Sequence, residues 1–153
     1  MSKTRAHRSC HKPGRHTTRG KKSAPHRSAS TCHRCASGDG PHDAHAWVRD
    51  HRPIDESHFM VSMLRCPACG RRALAIWAEL IDWHGGDDST ASLIIPVPQD
   101  HALDPTLITD EKAVERLLSS LGPCPHLATT HPRGESASPW TWCNDQPFIL
   151  PHD

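Results

Sequence analysis

Large apolar residues cluster between Phe59 and Leu121, and their spacing changes along that stretch. Phe59, Val61 and Met63 alternate with Met60, Ser62 and Leu64, the two-residue period of a strand running into Cys66. Ala73 to Trp83 is predicted as the next strand. One face carries Ala73, Ala75, Trp77, Glu79, Ile81 and Trp83, the other Leu74, Ile76, Ala78, Leu80 and Asp82. Both faces are largely apolar, so this strand is expected to be central and covered on both sides. His84–Asp88 is a loop by composition. Ser89–Val97 is predicted as a third strand, and Pro96 and Pro98 place it at an edge. The order gives an antiparallel three-stranded sheet.

The period then lengthens. Ala113, Val114, Leu117, Leu118 and Leu121 recur at three- and four-residue steps, predicting a helix over Thr109–Leu121 whose apolar face packs on the sheet. Thr109 is the expected N-cap, Asp110 and Glu111 suit the helix dipole, and Gly122-Pro123 is a stop signal. Residues 36–57 are polar and broken by Gly38, Gly40, Pro41 and Pro53, which predicts a long loop with at most a short strand near Trp47. From Cys124 the chain is proline-rich and irregular, but Trp140, Trp142, Phe148 and Ile149-Leu150 should dock on the body, in part as a short final strand.

Composition sets limits on this picture. Of 153 residues, 35% are hydrophobic and 14 are proline. Such a chain builds only a small core, and a bound metal is one way to reinforce it. Residues 1–31 contain almost nothing apolar and are expected to be a disordered arm. The formal net charge of +1 conceals a division: residues 1–34 hold 10 of the 18 Lys/Arg and no Asp/Glu, leaving 8 − 17 = −9 for the rest. A basic arm on an acidic body points to an electrostatic partner for the arm, or to self-association between the two. No apolar run follows the basic N-terminus, so no secretory signal or membrane span is expected, and a reducing cytoplasm is the expected setting. There, paired cysteines read as metal or redox sites.

Two such pairs are present, Cys32-His33-Arg34-Cys35 and Cys66-Pro67-Ala68-Cys69-Gly70. A two-residue gap lets both sulfurs of a pair reach one ion, and four thiolates complete a tetrahedral zinc site. Glycine after Cys69 permits a tight left-handed turn. The second pair, lying between two predicted strands, resembles the knuckle of a zinc ribbon. The resemblance covers roughly residues 32–83 and implies Zn2+ held by Cys32, Cys35, Cys66 and Cys69. The pairs stand thirty residues apart, so a loop insertion is required. Cys124, His126 and Cys143 are chemically competent substitutes for the first pair. A redox dithiol would need Cys66 at a helix N-terminus, which its position between strands opposes.

The expected fold is therefore α+β: a small antiparallel sheet with a zinc knuckle and one covering helix (residues 32–123), preceded by the basic arm and followed by an irregular segment (124–153). The leading function is a non-enzymatic zinc-binding module contacting nucleic acid through residues 1–34, with Arg34, Arg65, Arg71 and Arg72 nearest the knuckle. A protein-interaction or inhibitory module acting through an acidic face is the alternative. An enzyme using Glu79, Asp82, Asp87 and Asp88 is a further one, although those residues also suit an ordinary polar loop. No nucleophile–base order, phosphate-binding glycine loop or HExxH motif is present.

Overall fold

The computed structural model describes residue 32 and residues 47–80, 88–98, 101–132 and 134–149. Among these residues six strands form one sheet: β1 (Val48–Asp55), β2 (Phe59–Arg65), β3 (Arg72–Leu80), β4 (Ser89–Pro96), β5 (His126–His131) and β6 (Thr141–Cys143). Each strand pairs antiparallel with the next in sequence, in the order β1-β2-β3-β4-β5-β6. Among the described residues one α-helix, α1 (Glu111–Leu121), lies between β4 and β5 in sequence. The α+β class and the three expected strands are present.

The sheet is twice as wide as expected. Val48–Asp55 is a full eight-residue strand where a long loop with a short strand near Trp47 was expected. Its ladder to β2 is interrupted by register shifts around His51, and its residues are mostly exposed. A charged, bulged strand with a proline is how a sheet edge is protected from pairing with other chains, and that loop-like composition conceals it. In the C-terminal region, β5 was not foreseen and β6 is the short docking strand that was. The expected edge position of the third strand is corrected: β4 lies between β3 and β5. Its pairing with β5 runs from Thr90 to Ile94, so Pro96 lies beyond that ladder and removes none of its bonds.

Strand alternation divides the apolar residues between two faces. Phe59, Val61, Met63, Leu74, Ile76, Ala78 and Ile95 meet Leu103, Ile108, Val114 and Leu118, so α1 and the segment before it cover one face. Ala73, Ile94 and Leu127 lie on the other, packed by Trp47, Trp140 and Trp142. Arg72 donates to the Leu103 carbonyl at 3.4 Å, and Gln146 donates to the Leu118 carbonyl at 2.8 Å, tying connecting segments to the core.

The N-cap of α1 is Asp110 rather than Thr109. Its side chain accepts from the Ala113 amide at 2.7 Å. Carboxylate and hydroxyl are both good caps, and position alone decided between them. Asp110→Ala should lower stability by about 1 kcal/mol, read as a shift in urea midpoint. An unchanged midpoint would contradict the cap. Gly122 ends the helix with φ 65°. Before α1, Asp104 caps the 3-10 turn Pro105–Leu107. Bonds from the Thr106 hydroxyl and amide hold its carboxyl below its ordinary range. That contribution is present at neutral pH and is lost as the pH falls through the lowered pKa. Among the described residues no helix is long and apolar enough to cross a membrane.

Candidate metal centre

The turn between β2 and β3 is built by Cys66–Gly70. Cys66 donates its amide to the Arg71 carbonyl at 2.8 Å, and its own carbonyl accepts from the Gly70 amide at 2.9 Å. Gly70 has φ 74°. A Cβ there would meet nothing within 4 Å, so the backbone angle, and not lack of room, calls for glycine. The knuckle turn is thus as the residue pattern predicted.

Cys32 comes to this turn from 34 positions away: its sulfur lies 3.9 Å from that of Cys66. The sulfurs of Cys32, Cys66 and Cys69 all lie within 4.8 Å of one another. Four sulfurs at ~2.3 Å from a tetrahedral ion stand about 3.8 Å apart, whereas a disulfide requires about 2.05 Å. The Cys32–Cys66 separation matches the first arrangement, and none of the three cysteines is in a disulfide. Cys66 is buried, Cys32 half-buried and Cys69 exposed, so the cluster sits at the body's surface. Three soft thiolates suit zinc, copper(I) or an iron–sulfur cluster far better than magnesium or calcium. The cluster can hold a metal ion. Cys35 lies outside the described residues.

No family model matches this chain, and neither a curated protein nor a solved structure matches it. The case for the centre therefore rests on its own geometry.

The substitute ligands do not take the place of Cys32. His126, Cys143 and Asp145 form a separate group. The Cys143 sulfur is disulfide-bonded, and so offers no thiolate. His126 is buried, its Nδ1 3.0 Å from the Cys124 carbonyl and its Nε2 3.6 Å from Asp145 Oδ1. A carbonyl only accepts, so Nδ1 carries a proton. Cys124 packs against the main core, and burial pushes its thiol pKa up, favouring the neutral form over the thiolate a metal needs.

The basic residues near the knuckle face different tasks. Arg65 pairs with Asp50 at 3.2 Å, Arg72 reaches the Leu103 carbonyl, and Arg71 is half-buried beside the turn. Arg34 lies outside the described residues, as do Asp82 and Asp87. Of the remaining acids, Glu79 bonds His58 Nδ1 at 2.8 Å. The groove between the 3-10 turn and α1, about 350 Å³, is lined mainly by apolar side chains including Leu103, Leu107, Ile108 and Leu117. Of its charged residues, Asp104 is already engaged as a cap, and Arg116 alone supplies no reactive pair.

Sequence reading missed one arrangement: Trp47, Trp77, Trp140 and Trp142 gather on the sheet face opposite α1. The signal was available for Trp77, which shares the strand face of Ala73 and Ala75. For the other three it depended on strands β1 and β6.

Proposed function

We propose that this chain is a non-enzymatic, zinc-ribbon-like module in which Zn2+ joins Cys32 to the Cys66–Cys69 knuckle, and that residues 1–34 contact nucleic acid. The observation that carries the reading is the meeting of Cys32 with Cys66 and Cys69. A cysteine at the border of a polar, basic segment has no apolar reason to sit against a hairpin turn, and a shared metal supplies one. Zinc is favoured over other soft-ligand metals because it needs no redox partner and suits a tetrahedral thiolate set. Cys35, three positions after Cys32, is the proposed fourth ligand. Zinc then fixes the point at which a segment with ten cations leaves an acidic body. Those cations would neutralise phosphates and release counterions, giving sequence-independent binding that weakens steeply with salt.

Purified protein should contain close to one tightly held zinc per chain. Less than about half an equivalent, or chelation without loss of stability, would refute the metal. Deleting residues 1–31 should abolish low-salt retention of DNA or RNA, and unchanged retention would refute the arm's role.

A further inference from the structure

Four of the five tryptophans share one region of the fold. Register places Trp77 of β3 opposite Met60 and Ser92, and Ser92 opposite Thr129. Ser62, Ala75, Ile94, Leu127 and Trp142 form the adjacent row. Trp47, Trp140 and Trp142 pack on the Ala73–Ile94–Leu127 cluster of that face. All four indoles are half-buried. Helix α1 lies on the opposite face, through Val114 and Leu118. Among the described residues, therefore, no helix covers the indole face.

The residues between the indoles include Ser62, Ala75, Ser92 and Thr129. These side chains are short, and each indole remains partly exposed. Position adds a second argument. Trp47 directly precedes β1, where Val48 pairs with Arg65, and Arg65 directly precedes Cys66. The indole face thus begins at the end of the sheet where Cys32 is held. The strongly cationic residues 1–31 join the body at that end.

We propose that this face is a stacking platform for single-stranded nucleic acid, with residues 1–31 neutralising the phosphates of the strand whose bases lie on the indoles. The proposal rests on the nucleic-acid reading above and names the strandedness and the surface. Stacking accepts any base, because every base has a π-face, and it requires bases released from a duplex.

The chain has no tyrosine, so its ultraviolet-excited emission is dominated by tryptophan. Full-length, zinc-loaded protein titrated with oligothymidylate at low salt should show saturable quenching. A duplex of equal length should quench little. Trp77→Ala and Trp140→Ala should each weaken binding roughly fivefold to a hundredfold, while Trp140→Phe keeps most of the affinity. Zinc content and circular dichroism check that each variant is folded. If an alanine variant does not fold, wild-type quenching and Trp140→Phe decide. Binding of the single strand without an emission change overturns the platform, as does full affinity in folded alanine variants. A concentration-dependent dimer broken by Trp140→Ala would also overturn it, assigning the face to a second copy. Deleting residues 1–31 separates the two proposals. Quenching that persists with unchanged affinity and salt dependence refutes the arm's role and keeps the platform. Loss of binding on deletion, with no quenching in the full chain, keeps the arm and refutes the platform.

Discussion

With the proposed zinc bound, Cys66→Ser should remove the metal and most of the stability that the metal would confer. Cys66 is the buried member of the cluster, at 2% exposure, and its backbone closes the knuckle through Arg71 and Gly70. A serine oxygen is a poor ligand for a soft site, so affinity should fall far enough to leave the protein apo at ordinary zinc levels. A ligand present at a thousand times its Kd stabilises the folded state by about 4 kcal/mol. The variant should lose about that much. Wild type treated with chelator should unfold at the same lower temperature as the variant, and chelator should leave the variant's midpoint unchanged. Cys124→Ser should keep the zinc, because that thiol belongs to the core and is outside the cluster. A Cys66→Ser protein that retains a full equivalent of zinc and its melting temperature would refute the centre.

Leu74→Ala is expected to match that loss with no metal involved. Leu74 is fully buried, at 0% exposure, on β3 between β2 and β4. Its side chain belongs to the cluster that α1 covers. Truncating a buried leucine removes its transfer free energy and leaves a cavity, together costing about 2–5 kcal/mol. In a body of this size that lowers the melting temperature by roughly 10 °C or more. Leu107, at 70% exposure, is the control. The same substitution there should change stability by less than about 0.5 kcal/mol. Equal effects at the two positions would mean that Leu74 does not occupy the centre of the core. Zinc stoichiometry should be unchanged in folded Leu74→Ala, which separates this loss from that of Cys66→Ser.

The parts of the fold legible in sequence were those where a local period met a clear stop. β2, β3 and β4 declare themselves by alternation, and α1 by its leucines and Gly122. The knuckle is a local motif whose glycine states its backbone angle, so Cys66–Gly70 could be read directly. β1 could not, because Arg49, Asp50, His51, Arg52 and Pro53 serve to protect an edge and therefore resemble a loop. β5 escaped notice because His126, Thr129, Thr130 and His131 offer little apolar alternation. Its place is fixed by pairing with Thr90–Ile94, a long-range contact. The missing strands β1 and β5, the latter seating β6 and Trp142 on the sheet, also hid the indole face. The approach of Cys32 to the knuckle was foreseen from ligand chemistry alone, since residues 33–46 carry no periodicity that would lead the chain there.

The strictly sequential strand order bears on the cost of assembly. Every ladder joins neighbours along the chain, and β1–β2, β2–β3 and β3–β4 need only short connections. Loop-closure entropy rises slowly with length, so these hairpins form at little cost and each offers a template for the next. The link from Cys32 to Cys66 closes a much longer loop, of 34 positions. Without a metal, a single sulfur–sulfur contact has little to set against that entropy. The sheet is thus a scaffold that local zipping can form, and the proposed zinc ion would be what sets Cys32 against it.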